Sequence, residues 1–234
     1  MGTLLLLLLI KYKKVMIWKF WFFLSVCITL TIALAAFVNE TIAICMAIAL
    51  ALAKVYHPNI FVHNITEVLI YGGLAAIFVP MINLFSAFML LLFISLYDLY
   101  AVWKSEHMIK MAKFQTSTKL FSGLFIPYKG KDGKKNEMKE AKKEIKVKTT
   151  NAILGGGDIG FPLLFTGVVM KSLINSGTAR YVAFQLSLIV TLTLTIALFW
   201  LLIKSKKDRF YPAMPFLSAG CFAGYLIIAG LNLI

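Results

Sequence analysis

Charged residues are scarce in this chain of 234 residues: they make up 15% of it, whereas 60% is hydrophobic. Soluble domains are roughly 45–50% apolar and about 25% charged, so the composition excludes an ordinary soluble domain and predicts an all-α, polytopic membrane protein. Acids are scarcest, with 10 Asp and Glu against 24 Lys and Arg. The basic residues lie between apolar segments, so we interpret them as orienting the chain in a lipid bilayer, not as binding nucleic acid.

Cysteine and histidine are too few and too scattered to predict a metal site. Cys27, Cys45 and Cys221 all lie in apolar runs, without the spacing of a metal site or an obvious disulfide. The sequence contains neither His-Glu-x-x-His, typical of zinc proteases, nor Gly-x-Ser-x-Gly, typical of serine hydrolases. We therefore predict no metal and no cofactor.

Seven apolar segments approach the length of about 20 residues that a bilayer span requires. They are roughly Val15–Val38, Glu40–Tyr56, Ile65–Pro80, Met81–Trp103, Asn151–Leu173, Tyr181–Ile203 and Pro212–Ile234. A further apolar run, Leu4–Ile10, is too short to span, and we interpret it as the tail of a helix whose earlier part is missing.

Lysine and arginine divide the loops between the two sides of the membrane. If alternate loops share a side, one side holds 22 of the 24 basic residues, and the other holds only Lys171 and Arg180. The positive-inside rule places the basic side in the cytoplasm. This predicts an N-terminal membrane part over 1–103, a flexible, Lys-rich cytoplasmic loop over 104–150, and a C-terminal membrane part over 151–234.

Two aspartates lie inside apolar segments, where a charged side chain costs at least about 2.5–3.5 kcal/mol. Asp98 lies five residues before the cytoplasmic end of its span, and Asp158 lies seven residues after the start of the next. At 1.5 Å per residue, the depths are about 7.5 Å and about 10 Å. Two neighbouring carboxylates in a low dielectric share a proton, as in aspartic proteases, so we predict an aspartyl dyad. The alternatives are a structural hydrogen bond and a proton-relay site.

Small residues, prolines and a tyrosine accompany the two aspartates. Glycines before an aspartate remove side chains where a substrate backbone must approach closely, and prolines suit the start of a helix. A tyrosine beside the first aspartate can hydrogen-bond near the dyad. Each feature can also be explained by ordinary helix packing or by the start of a helix. These candidate site residues are Tyr97, Gly155, Gly156, Gly157, Pro212, Ala213 and Met214.

Three motifs in this order resemble the presenilin and signal peptide peptidase family of intramembrane aspartyl proteases, known as the GxGD type. They are Tyr97-Asp98, Gly155-Gly156-Gly157-Asp158 and Pro212-Ala213-Met214. The segments Tyr97–Met108 and Gly157–Pro162 are especially similar to archaeal presenilin homologues.

The resemblance covers nearly the whole chain, from the third helix onward, and it carries several implications. It implies that Asp98 and Asp158 are the catalytic pair and that Pro212–Met214 shape the site. It also implies that the substrates are transmembrane segments, with their N-termini outside, and that the membrane is that of an archaeal cell.

The chain also departs from the family pattern. Met214 replaces a leucine of similar volume, which we expect to be tolerated. The family has nine spans, so we expect a presenilin-like fold that lacks its first one to two helices. A prepilin-type peptidase is an alternative, but that family places a lysine where Gly160 stands here. A transporter or ion-leak channel with the aspartates as a proton or cation site is another, and a catalytically silent chaperone or scaffold is a third.

Overall fold

The computed structural model describes residues 15–56, 59–104, 123–127, 151–204 and 212–231. Within these residues the chain forms seven α-helices and two β-strands. They are α1 (Val15–Ala35), α2 (Glu40–Tyr56), α3 (Ile60–Phe78), α4 (Leu84–Lys104), β1 (Gly123–Pro127), β2 (Asn151–Gly155), α5 (Gly156–Asn175), α6 (Arg180–Lys204) and α7 (Met214–Gly230).

The predicted class, an all-α polytopic membrane protein, is confirmed. Four helices, α3 to α6, are long and apolar enough to cross a membrane by length and composition, and α1 and α7 contribute shorter apolar helices. Helices suit this environment because each backbone group finds its partner within its own segment. Large apolar side chains such as Phe93, Leu192 and Ile196 are exposed on the outer faces, where lipid would surround them.

Each predicted span contains a helix, but two of the helices begin five residues away from the predicted start. The third helix begins at Ile60, five residues earlier than predicted, because Asn59 caps it: its Oδ1 accepts the Phe61 N–H at 3.1 Å. The fifth helix begins at Gly156, because Asn151–Gly155 forms a strand instead. Asp158 therefore lies in the first turn of its helix, not seven residues into a span as predicted.

The two strands form an antiparallel hairpin that the sequence pattern did not predict. Gly123 pairs with Gly155 at one end, and Pro127 pairs with Asn151 at the other. Strand β1 lies within the predicted loop over 104–150. Most of that loop, and the stub Leu4–Ile10, lie outside the described residues. The hairpin leads directly into α5.

The helices pack around two hydrophobic clusters. One joins α1, α2 and α3, where Ala43, Ala47 and Ala51 are fully buried and let the helices approach closely. The other joins α4, α5, α6 and α7. In the second cluster Gly224 packs directly on α6, since a Cβ there would lie 2.6 Å from the Cα of Val190. Gly220, four residues earlier, also approaches α6, since a Cβ there would lie 3.0 Å from the Cα of Leu194. The two glycines therefore form a Gly-x-x-x-G step that packs closely against α6.

Helix α3 connects the two clusters. A Cβ added at Gly167 of α5 would lie 2.7 Å from Val79, which directly follows α3. The Nζ of Lys171 donates hydrogen bonds to the carbonyls that follow α3, at 2.8 Å from Pro80 and 3.4 Å from Ile82. These contacts attach α5, which carries Asp158, to the N-terminal helices.

Candidate active site

Asp98 lies on α4 and points at the start of α7. Its side chain is half-buried, and the backbone N–H of Met214 donates to its Oδ2 at 3.1 Å. The backbone of Ala213 faces the same carboxylate. The first N–H groups of a helix have no partner within the helix and form the positive end of its dipole, so this end suits a carboxylate. The start of α7 therefore holds Asp98 in place.

Asp158 is the third residue of α5, and Gly155 is the residue that caps this helix. The carboxylate reaches back to the backbone of Gly155, as an acid at this position does in a capping box. A Cβ added at Gly155 would lie 3.2 Å from Oδ2 of Asp158. The close approach explains in physical terms why a glycine stands there: any side chain would push the carboxylate away.

The structure brings the two aspartates together. Helix α4 packs against both α5 and α7, and the charge of Asp98 acts directly on Asp158. Both side chains are half-buried, so the pair is accessible from outside the helix bundle. The site thus combines two interacting carboxylates with a helix N-terminus.

The other candidate site residues lie around this pair with different exposures. Tyr97 is 67% exposed on the outer face of α4, and Gly157 is also exposed. Gly155, Gly156 and Ala213 are half-buried, whereas Pro212 and Met214 are buried. Tyr97 and Gly157 are therefore the residues that an approaching molecule can contact first. Among the described residues no group of three or more His, Cys, Asp or Glu side chains could hold a metal ion.

A serine pair beside the dyad escaped prediction from the sequence. The hydroxyls of Ser95 and Ser218 lie 2.6 Å apart, and Ser95 also donates to the carbonyl of Met214 at 3.3 Å. Ser95 lies three residues before Asp98, on the same face of α4. The pair joins α4 to α7 next to the bond between Met214 and Asp98. The spacing to Asp98 was visible in the sequence, but the partner in α7 was not.

A second polar cluster was also missed. Lys54 donates to Glu67 between α2 and α3, and both side chains are buried. The charge count placed Lys54 with the cytoplasmic loops, whereas the structure shows it in the last turn of α2, with its side chain buried against α3. The available signal was that each lies within or beside an apolar run, where an ionisable residue is expected to have a role.

Comparison with known proteins agrees with the motifs. No curated protein matches the chain. The model of one family, signal-peptide peptidase and presenilin aspartyl protease, matches residues 2–232. Because this match covers nearly the full length, the chain belongs to the signal-peptide peptidase and presenilin aspartyl protease family.

Proposed function

We propose that this protein is an intramembrane aspartyl endopeptidase, which hydrolyses peptide bonds within the transmembrane segments of other proteins, with Asp98 and Asp158 as its catalytic pair. One observation carries the proposal: the Met214 N–H at the start of α7 donates to Asp98, and Asp158 lies close enough to Asp98 for the two charges to interact. Membership of the family supplies the reaction class and the membrane setting.

The chemistry needs one proton shared between two carboxyl groups. The ionised carboxylate takes a proton from water, and the water oxygen attacks the carbonyl carbon of the substrate peptide bond. The protonated carboxyl group gives its proton to the carbonyl oxygen, which forms a tetrahedral diol. The carbon–nitrogen bond then breaks: one carboxyl group gives its proton to the departing amine, and the other takes the proton of a diol hydroxyl. This leaves a carboxylic acid product and returns the shared proton to the pair. The two carboxyl groups titrate as a unit, so the acid and base roles belong to the pair.

The hairpin gives the substrate a place to bind. A transmembrane helix must unwind before its peptide bond can reach the dyad, and the freed N–H and C=O groups then need partners in a medium without water. Within the described residues β1 and β2 pair only with each other, so neither has a second strand beside it. An extended substrate segment can add as a further strand. Gly155, which ends β2, and Gly156 and Gly157, which follow it, leave room for the substrate backbone.

The orientation we propose follows from the lysines. Lys54 is buried and belongs to no loop, yet 21 of the other 23 basic residues still fall on one side. This places the 104–150 loop in the cytoplasm and the dyad in the cytoplasmic third of the membrane. We further propose substrates with their N-termini outside, and the membrane of an archaeal cell as the location.

The test is cleavage of a single-span peptide by the purified protein in liposomes, with the fragments identified by mass spectrometry. Asp98→Asn and Asp158→Asn keep the side-chain shape and an oxygen that can accept the Met214 N–H, so folding should persist. Each change removes an acid or base, and we expect each to lower the cleavage rate at least about a hundredfold. Glu40→Gln, an exposed acid at the start of α2, serves as the control and should cleave normally.

One result would reject the proposal, and another would invalidate the assay. Cleavage that survives both asparagine substitutions would mean that the aspartates are not catalytic. Loss of cleavage in Glu40→Gln as well would mean that the assay reports the general condition of the protein and not the dyad.

A further inference from the structure

A buried polar cluster lies away from the aspartates, where α2, α3 and β1 meet. It consists of Lys54, His63 and Glu67, whose residues are 4%, 7% and 1% exposed. Lys54 donates to Oε1 of Glu67, and His63 Nε2 lies 3.9 Å from the same oxygen. Because a buried ion pair must recover a large loss of hydration, its presence requires an explanation beyond stability.

His63 connects this cluster to the hairpin. Its Nε2 lies 2.9 Å from the carbonyl oxygen of Gly123, the first residue of β1. A carbonyl only accepts, so Nε2 carries the hydrogen and donates it. Gly123 has a φ of 154°, a backbone conformation that side chains disfavour. A helix side chain and a special backbone position thus fix the start of β1 together.

The hydrogen bond at Gly123 is connected to Asp158 of the catalytic pair through Gly155. Gly123 is the partner of Gly155 in the hairpin, and Gly155 caps the helix in which Asp158 is the third residue. The Asp158 carboxylate contacts the backbone of Gly155. A shift of β1 along β2 would therefore change both the position of Gly155 and the strand edge offered to a substrate.

An isolated two-stranded hairpin is at best marginally stable, so an outside attachment matters. The described contacts of β1, apart from those with β2, are with α3 and α5. In a strand, a slip of one residue turns every side chain to the opposite face. The bond from His63 opposes such a slip at the end of the hairpin nearest the dyad.

We propose that His63, which lies beside the buried Lys54–Glu67 pair, is a positioning residue that sets the register of β1 against β2, and so determines which peptide bond the dyad cuts. The effect on cleavage rests on the proposed protease function. The effect on the hairpin does not depend on that function, so experiments can test the two effects separately.

The test compares His63→Phe with His63→Gln. Phenylalanine keeps a ring but removes the donor, whereas glutamine places an N–H donor at nearly the same distance from Cα. Hydrogen–deuterium exchange of residues 123–127 and 151–155 reports on the hairpin directly. We expect exchange there to be about fivefold faster or more in His63→Phe and close to wild type in His63→Gln.

Cleavage supplies the second readout. We expect His63→Phe to lower kcat about tenfold, with a much smaller change in KM, because the bound peptide is misplaced and not lost. Mass spectrometry should show its cuts spread to neighbouring peptide bonds. His63→Gln should restore a single cut position. A residue that only supported folding would reduce the amount of active protein without moving the cut.

The proposal is overturned if His63→Phe changes neither hairpin exchange nor cut position, or if both variants behave alike. If the wild type cleaves nothing, the protease function fails, and the exchange comparison alone then decides whether His63 holds the hairpin. If His63→Phe does not fold, His63→Met takes its place, because methionine also lacks a donor and adapts to irregular spaces.

Discussion

The buried pair of Lys54 and Glu67 makes a sharp prediction about stability. Lys54→Met leaves the Glu67 carboxylate without its cation, and its Oε2 is already buried without a hydrogen-bond partner among the described residues. Removing one member of a buried ion pair typically costs about 3–5 kcal/mol, because the other charge remains uncompensated. We expect a loss of that size in the free energy of unfolding.

The double variant Lys54→Met with Glu67→Leu should recover most of this loss. Replacing a buried pair by apolar residues of similar volume is often neutral or stabilising, and one carboxylate oxygen of Glu67 has no hydrogen-bond partner within the part of the chain that the structure describes. We expect the double variant within about 2 kcal/mol of the wild type, which gives a coupling free energy of at least about 3 kcal/mol between the two sites.

The assay is unfolding in mixed micelles by titration with sodium dodecyl sulfate, followed by circular dichroism. Lys19→Met, an exposed lysine on α1, is the matched control and should change stability by no more than about 0.5 kcal/mol. If Lys54→Met costs less than about 1 kcal/mol, or if the two single losses simply add in the double variant, the reasoning is refuted.

Two glycine substitutions, each with a second glycine variant as its control, complete the predictions. Gly224→Ala should destabilise the protein by about 1–3 kcal/mol in the same titration, because its Cβ would lie 2.6 Å from a backbone atom of α6. Gly72→Ala, with open space around the new methyl group, should be neutral or stabilising; equal effects would contradict this packing argument. Gly155→Ala should lower kcat about tenfold or more while leaving stability nearly unchanged, because its methyl group crowds the Asp158 carboxylate. Gly230→Ala, which meets no neighbour, should cleave at the normal rate, and a normal rate in both would exclude the crowding.

The sequence predicted the helices well, for a physical reason. A span needs a long apolar segment, and such a segment is visible without knowledge of the fold. Within it, an acid such as Asp98 or Asp158 stands out because burial in hydrocarbon is expensive. The family resemblance is confirmed by the match over residues 2–232. The likeness to archaeal members and the roles of the individual site residues stay predictions.

The features that the sequence did not predict depend on contacts between residues far apart in the chain. Ser95 and Ser218 are separated by 123 residues, and His63 and Gly123 by 60, so no local period reveals either pair. Strand β1 is five residues long, ends in proline and lies in a polar loop, where a short apolar run is not distinctive. It is a strand only because it pairs with β2. The same pairing makes residues 151–155 a strand, so α5 begins at Gly156 and not at Asn151 as predicted.

The pairing of Pro127 with Asn151 has a consequence for how the gene can change. The two residues lie side by side in the hairpin, so the segment over 128–150 leaves and returns at almost the same point. The entropy of closing such a loop grows only with the logarithm of its length, and each doubling costs about 0.6 kcal/mol. Insertions between these residues should therefore add little to the entropy of closure, whereas one within β2 would shift the start of α5, which carries Asp158. We expect this segment to tolerate changes in length and the insertion of reporter domains.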